Sequence, residues 1–476
     1  MIDHFEDVLN ECTVAFNQRR EWATGRDLAF GILNCMGRRT LTGMLTASGK
    51  QFVDWTSSYR LFSQSRIDLD KMFAVLRKHC LYHQLPKQSI VVHLDDTLLK
   101  KTGRNIPGTS WRRDPLGPPF HTNFIWGQRF IQMSMALPQG GPCGQSRAIP
   151  IDFHHCPTAK KPKKGANAQE IETFEEEKKR LRLSRQGSER IALLRENLNR
   201  QPGLRDTNIL INVDGSYTNK EVLQNLPKGV TLIGRIRKDT KLYDLPDTQP
   251  CLGRRRVYGT QLPTPEQIRQ SDQYPWQTVC AWAAGKEHDF QVKVIRDVLW
   301  RAAGQTMTMQ LVIIRPLGYR LSKTSKILYR DPAYLICTDA NLAIDKLLQS
   351  YVWRWEIEVN FREEKTLLGC GQAQVRNIRS AETLPAFTAA IYGLLQIAAH
   401  RSFSEPEPAI LPRPKWYPKK ELTRHTTGDL LNNFKAQAWA KSQHIHFSRF
   451  VAQETLTQTQ RNVADPFNSA SFYMRN

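Results

Sequence analysis

One segment in the C-terminal third of the chain carries side chains that are suited to chemistry on phosphates. Tyr351, Arg354, Glu358 and Lys365 are spaced by three, four and seven residues, in a stretch without Pro or Gly. The pattern predicts one helix, on which the four side chains share a sector roughly 60° wide at about 100° per residue. The tyrosine and the two cations suit a phosphate, and the carboxylate suits a divalent metal. The alternative interpretation is an ordinary amphipathic helix with salt bridges.

Two further carboxylates follow short apolar runs upstream. Asp96 ends the run that begins at Ser89, and Asp214 follows the run 207–213. Each run predicts a buried strand, and the C-terminal ends of strands meet at one edge of an open α/β sheet. We therefore expect Asp96, Asp214 and Glu358 to converge. Three carboxylates can hold two divalent cations for in-line phosphoryl transfer.

The composition favours a polyanionic partner. The chain has 476 residues, with 68 Lys and Arg against 45 Asp and Glu, a net charge of +23. Nucleic acid is the first expectation, and an acidic membrane surface is the second. No apolar run reaches the roughly 18 residues that span a bilayer, so we expect no membrane segment. The N-terminus lacks a signal-peptide pattern, and the nine Cys form no C-x-x-C pair, so we expect a reduced, cytoplasmic protein.

The order of predicted elements indicates an α/β protein with a ribonuclease-H-like mixed-sheet core. Predicted strands lie at 89–96, 129–136, 147–153, 207–213 and 230–235, with one long helix over 168–199 and a short helix over 219–225. The core is interrupted by a β-rich insertion, and helical domains lie at both termini. We expect five regions: a helical N-terminal DNA-binding domain 1–85, the first part of the core 86–238, the insertion 239–332, the second part of the core 333–404, and a linker with a helical, dimerising C-terminal region 405–476.

The spacing of Tyr351, Arg354, Glu358 and Lys365 resembles the YREK signature of bacterial insertion-sequence transposases of the DDE class. Leu94-Asp95-Asp96-Thr97 is similar to that family's first Asp motif, and Val213-Asp214-Gly215 is similar to its second. The long gap between Asp214 and Glu358 fits the β domain that this family inserts there. The resemblance covers roughly residues 50–400.

The resemblance implies a cut-and-paste DNA transposase. Such an enzyme cleaves at transposon ends and transfers the 3′-hydroxyls into target DNA, usually with two Mg²⁺ ions, which Mn²⁺ replaces. It implies double-stranded DNA as partner, a homodimer on DNA and a nucleoid-associated bacterial protein. We expect Tyr351, Arg354, Lys365 and the neighbouring Arg362 to contact DNA. Two alternatives are a metal-dependent nuclease without strand transfer and a non-catalytic DNA-binding protein derived from a transposase.

The first motif leaves a choice between two neighbours. Asp95 and Asp96 are adjacent, so their side chains face opposite sides of the predicted strand, and only one can be the ligand. Asp96 directly precedes Thr97, and in the family that the chain resembles the corresponding Asp also precedes a Thr. We therefore expect Asp96 to be the ligand, with Asp95 capping the strand or binding a neighbour.

Overall fold

A mixed β-sheet is the frame on which the candidate residues are placed. The computed structural model describes residues 1–83, 88–114, 117, 121, 123–139, 144–246, 256–304, 307–320, 324–404 and 424–442. Within these residues, ten strands form one sheet and two short strands form a separate hairpin. In chain order, the strands are β1 Ile90–Lys100, β2 Ser110–Arg113, β3 Phe124–Gln139, β4 Gln145–His155, β5 Ile209–Val213, β6 Val230–Arg235, β7 Gln277–Ala283, β8 Lys286–Val298, β9 Met309–Ile314, β10 Gly318–Tyr319, β11 Leu328–Tyr329 and β12 Ala333–Cys337.

The central strands have the order that places the two Asp motifs side by side. β1 pairs with β3 in antiparallel fashion and with β5 in parallel, β5 is parallel to β6, and β4 pairs with β3. The order β4-β3-β1-β5-β6 is consistent with a ribonuclease-H-like core. Because β1 and β5 are parallel neighbours, their C-terminal ends lie at the same edge of the sheet.

The strands expected in the insertion continue the core sheet. β12 pairs with β6 on one side and with β9 on the other, and β8 and β7 follow in antiparallel order. The sheet therefore runs without a break from the first Asp motif to the edge strand β7.

The helices cover both faces of this sheet and form the N-terminal region. The most buried is the last long helix of the core, which carries an internal proline, Pro385. Among the described residues, none of the helices is both long and apolar enough to cross a membrane. The helices are α1 Ile2–Glu11, α2 Arg19–Asn34, α3 Leu41–Ala47, α4 Thr56–Ser63, α5 Leu69–Tyr82, α6 Ala168–Arg180, α7 Leu183–Asn199, α8 Lys220–Gln224, α9 Pro265–Gln270, α10 Ile344–Trp353, α11 Trp355–Thr366, α12 Ile378–Phe403 and α13 Thr427–Ser442.

The prediction of one helix over 168–199 is wrong. The chain forms α6 and α7, and Arg182 between them has a ψ of 133°, far from helical values. None of the residues of α6 is buried, whereas α7 buries Ile191, Leu194 and Leu198. The sequence pattern joined a solvated helix to a packed one, because charge and helix propensity are similar in both.

The C-terminal helix α13 packs on the N-terminal helices of the same chain. Phe434 is fully buried, and its ring lies 5.1 Å from that of Phe5 in α1 and 5.6 Å from that of Phe30 in α2. The expected linker 406–418 lies outside the described residues. The two ends of the described chain therefore share one hydrophobic core.

Candidate active site

The register of β1 separates the two neighbouring carboxylates. Asp95 is paired with Gln132 of β3, and Asp96 is paired with Ile131. Directly paired residues point to the same face of an antiparallel sheet, and consecutive residues point to opposite faces. Asp95 therefore shares a face with Gln132, and Asp96 lies on the other face.

On the Asp95 face, one guanidinium joins residues that are far apart in the sequence. Arg354 Nη1 lies 3.2 Å from Asp95 Oδ2, across 259 residues of chain, and Arg354 Nη2 donates to Glu358 Oε1 at 2.9 Å. The side chain of Arg354 is only 14% exposed. Charge-assisted contacts of a buried guanidinium with two carboxylates fix their positions. The structure thus brings Glu358 to Asp95 through Arg354.

Asp96 lies among a different set of partners on the opposite face. Arg129 Nε lies 3.3 Å from Asp96 Oδ2, and the hydroxyl of Tyr217 donates to Asp96 Oδ1 at 3.3 Å. Neighbouring Arg112 donates to the carbonyl oxygen of Cys156 at 3.2 Å. Burial raises the pKa of Asp96, and the charge of Arg129 opposes that shift. Asp96 therefore has its own cation and hydroxyl.

Asp214 stands at the end of β5, beside both β1 carboxylates. Its side chain accepts hydrogen bonds from the amide and the hydroxyl of Ser216, at 2.9 and 3.1 Å, which fix the turn that follows the strand. The pKa of Asp95 is raised to about 8, mainly by burial and also by the charge of Asp214, while the charge of Arg354 opposes the shift. Because a carboxyl with a raised pKa ionises more readily beside a cation, a bound cation would favour the ionised form of Asp95.

The donor set fits a hard divalent cation, although Arg354 stands between two of the donors. Carboxylate oxygens are the ligands that Mg²⁺ and Mn²⁺ prefer. Across the described ranges, no three His, Cys, Asp or Glu side chains are grouped closely enough to hold a metal ion. The contacts of Arg354 with both Asp95 and Glu358 explain this, because a guanidinium takes the position between them. Asp95, Asp214 and Glu358 offer suitable oxygen atoms, and they could hold a metal together only if Arg354 left its position between Asp95 and Glu358.

Comparison with known proteins identifies the family. A family model described as DDE superfamily endonuclease matches residues 11–307. The chain belongs to the DDE superfamily endonucleases. The matched range contains both Asp motifs and ends before Glu358. A search of the curated proteins finds no match.

Members of the DDE superfamily act on DNA and generally use divalent metal ions, and the mixed α/β fold of this chain agrees with that membership. The family assigns the chain to the nuclease and transposase class of enzymes. Asp95 and Asp96 directly follow the part of β1 that pairs in parallel with β5, and Asp214 directly follows β5, although β1 itself continues to Lys100, beyond the strand end at Asp96 that the sequence predicted.

The prediction of one continuous helix through Tyr351 and Lys365 is wrong at Arg354. α10 ends at Trp353 and α11 begins at Trp355, because the amide of Arg354 bonds to Tyr351 and that of Ile357 bonds to Arg354, each only three residues back. Arg354 keeps a helical backbone conformation, with φ −54° and ψ −30°, so the interruption is limited to this tighter turn. The guanidinium of Arg354 lies 5.7 Å from the centre of the Tyr351 ring, so these two residues remain neighbours.

The other two predicted DNA contacts differ in exposure. Lys365 is half-buried, with its ammonium 5.9 Å from the centre of the Phe361 ring, and burial lowers its pKa. Arg362 is 68% exposed and lies 3.7 Å from a carboxylate oxygen of Glu363. Lys365 is thus held in place near the site, and Arg362 projects into solvent.

Sequence analysis missed the buried polar side chains that hold α11 in place. Glu363 is buried and accepts hydrogen bonds from the hydroxyls of Tyr392 in α12, at 2.8 Å, and Thr427 in α13, at 2.6 Å. On the same helix, Asn360 donates to Ser134 of β3 at 3.3 Å. These residues fasten the Glu358 helix to the sheet and to the terminal helices. The helical pattern alone gave no signal of this, since α12 and α13 both cover α11.

Glu364 links α11 to the residue opposite Asp95. It is 1% exposed, and its hydrogen bond with Gln132 only partly offsets the burial that raises its pKa to about 8. Gln132 is the cross-strand partner of Asp95 and also donates to Ser134 at 2.9 Å. A neutral Glu364 suits this buried position, because an ionised one would lack enough partners.

We predict that Glu364→Gln changes the pH dependence of stability. A carboxyl whose folded pKa of about 8 exceeds its ordinary value of 4.5 contributes stability below pH 4.5, which is lost as the pH rises through 8. The amide cannot ionise, so the free energy of unfolding of the variant should rise relative to that of the wild type by roughly a few kcal/mol between pH 5 and pH 9. Thermal unfolding of both proteins at a series of pH values measures this. A constant difference across that range would contradict the assignment. Glu363→Gln, which changes the neighbouring acceptor of two hydroxyls, provides the comparison.

Proposed function

We propose that this chain is a cut-and-paste DNA transposase, which cleaves DNA at transposon ends and transfers the 3′-hydroxyls into target DNA. The observation that carries the proposal is the contact of Arg354 with both Asp95 and Glu358 beside Asp214. Membership of the DDE superfamily supports cleavage of DNA, and the net charge of +23 supports a polyanionic substrate.

We infer that the acidic residues of the site are Asp95, Asp214 and Glu358. The sequence motif favoured Asp96 as the metal ligand, and that assignment stays a prediction. The contacts favour its neighbour, because Asp95 shares Arg354 with Glu358, whereas Asp96 is held by Arg129 and Tyr217 on the other face. A ligand set must converge on one point, and only one face of β1 carries α11.

In this proposal the three carboxylates hold two Mg²⁺ ions, which Mn²⁺ replaces. Bound metal activates water or a 3′-hydroxyl and stabilises the leaving oxygen of the phosphodiester. The role of Asp95 and Asp214 is to supply oxygen ligands from two adjacent, rigid strand ends. The role of Glu358 is to complete the set from α11, whose position is fixed by Asn360 and Glu363.

The cations of α11 and its neighbours are proposed to hold the DNA backbone. Arg354 is placed to bind a phosphate oxygen beside the carboxylates, and Lys365 provides a second, partly buried cation. Tyr351, stacked near Arg354, is placed to donate a hydrogen bond, and exposed Arg362 to contact the flanking backbone. Because cutting and joining two ends requires two sites, we propose a homodimer on DNA.

The alternatives differ in their products. A nuclease without strand transfer would cleave the ends and leave the 3′-hydroxyls free, and a non-catalytic derivative would only bind them. We expect a labelled transposon end, incubated with the protein, supercoiled plasmid and Mg²⁺, to become joined covalently to the plasmid. Cleaved ends without joined product would favour the nuclease, and binding without cleavage would favour the derivative.

The choice between the neighbouring acids has a direct test. Asp95→Asn should lower the cleavage rate by at least about a thousandfold while leaving DNA-end binding nearly unchanged, since one oxygen ligand is lost. Asp96→Asn should retain more activity and lose thermal stability, because it leaves the half-buried Arg129 without its charge partner. Asp95→Cys should recover more activity with Mn²⁺ than with Mg²⁺, because thiolate is the softer ligand. The reverse pattern, with Asp96→Asn inactive and Asp95→Asn active, would return the role to Asp96.

Arg354 is expected to compete with metal in the absence of DNA. At an effective dielectric constant of 20, two unit charges about 4 Å apart interact by ~4 kcal/mol, so removing the guanidinium should tighten metal binding by at least about tenfold. Titration calorimetry with Mn²⁺ measures this for the wild type and for Arg354→Ala, without DNA. Arg362→Ala removes an exposed cation from the same helix and should leave the affinity unchanged. Equal or weaker binding by Arg354→Ala would show that the arginine organises the carboxylates and does not compete for them.

A further inference from the structure

We propose that an aromatic patch on the β2–β3 hairpin binds unpaired DNA bases next to the cleavage site, an inference that rests on the proposed action on DNA. The hairpin patch consists of Arg104, Trp111, Arg113, Phe124 and Trp126. It is separate from the carboxylates and from α11, and it offers stacking surfaces together with cations.

Two large rings of the hairpin patch are exposed to solvent. Trp111 of β2 is 56% exposed, and Phe124 of β3 is 60% exposed. The ring of Trp126 lies 5.6 Å from that of Trp111, nearly edge to face. Exposed aromatic rings grouped together mark a surface that binds something.

The register places these rings on the face that carries Asp95. Trp111 is paired with Trp126, and Arg113 with Phe124, so all four point to one side. Along β3, Trp126 is an even number of residues from Gln132, the partner of Asp95, so they share that side. At about 3.3 Å per residue, the patch lies roughly 20 Å from Asp95 along the strands. A DNA strand of about six nucleotides spans that distance.

Hydrogen bonds attach the hairpin patch to the loop that follows α11. The indole N–H of Trp126 donates to the carbonyl oxygen of Gly103 at 3.1 Å. Next to it, the ammonium of Lys101 donates to the carbonyl oxygens of Gly371 and Ala373, both at 2.8 Å, and the Thr102 amide donates to Gln374. The patch is thus rigidly connected to the Glu358 helix.

The charge of the hairpin patch selects the partner. The guanidinium of Arg104 lies 5.0 Å from the ring centres of both Trp111 and Trp126, and Arg113 is exposed on the same side of the hairpin. Cations favour phosphates, and free ring faces favour planar apolar groups, a combination that proteins use for single-stranded nucleic acid. A paired duplex keeps its base faces covered, so the ligand is a segment whose bases are unpaired.

The test compares two DNA ends that differ only in pairing. One is fully duplex, and the other has six unpaired nucleotides at its terminus, with 2-aminopurine among them. Binding is measured in EDTA, so that no cleavage occurs, by anisotropy and by 2-aminopurine fluorescence. We expect the wild type to bind the unpaired end more tightly and to quench its fluorescence. Trp111→Ala and Phe124→Ala should each weaken binding of the unpaired end by at least about fivefold and restore fluorescence, with duplex affinity unchanged.

Two further variants make the result specific to stacking. Trp111→Phe keeps an aromatic ring and should keep most of the preference. Tyr329→Ala removes a 70%-exposed ring from the separate β10–β11 hairpin and should change neither affinity. Equal loss of affinity for both ends, or no loss for either, would overturn the proposal. So would a change in oligomeric mass of Trp111→Ala by light scattering with base binding intact, because the patch would then contact a second copy of the chain.

The outcome is separable from the proposed catalytic function. The assay contains no metal and measures no cleavage, so a chain that prefers unpaired ends and yet never joins DNA would support the patch while refuting transposition. If the wild type joins DNA, and Trp111→Ala binds unpaired ends as tightly as the wild type does, transposition would be supported and the patch refuted.

Discussion

The contact of one buried guanidinium with two carboxylates is the constraint on which the site depends. Asp95 comes from β1, and the guanidinium belongs to Arg354, which lies 259 residues further along the chain and also contacts Glu358. Two carboxylates with Asp214 nearby would repel one another and take up protons. The cation between Asp95 and Glu358 offsets part of that repulsion and joins the two residues without a metal or DNA.

The position of α11 in turn depends on buried polar groups. Asn360, Glu363 and Glu364 lie on the side of α11 that faces the sheet and α12, and each is hydrogen-bonded there. Buried polar contacts of this kind are costly to leave unsatisfied, so they permit few alternative placements of the helix. A site that relies on convergence within a few ångströms gains precision from that restriction, because a sliding apolar contact would not fix the helix register.

The sequence predicted the elements that carry the site better than the directions of their side chains. The apolar runs before Asp96 and Asp214 identified two strands, and these are parallel neighbours in the sheet. The choice between Asp95 and Asp96 depends on which face α11 covers, and this follows from packing that no local pattern records. The interruption of the helix at Arg354 and the burial of Glu363 also follow from tertiary packing, which no local sequence pattern records. The β2 strand was missed because it lies in a polar stretch rich in Gly and Pro, where propensity gives no strand signal.

The long separation between the two halves of the site has a consequence for biosynthesis. A nascent chain that has been translated only as far as β9 already contains Asp95 and Asp214, but it lacks Arg354, Glu358 and the strand β12 that joins β9 to β6. Such a chain has an open sheet edge and two carboxylates without their cation. Most of the chain must therefore be synthesised before Asp95, Arg354 and Glu358 can come together.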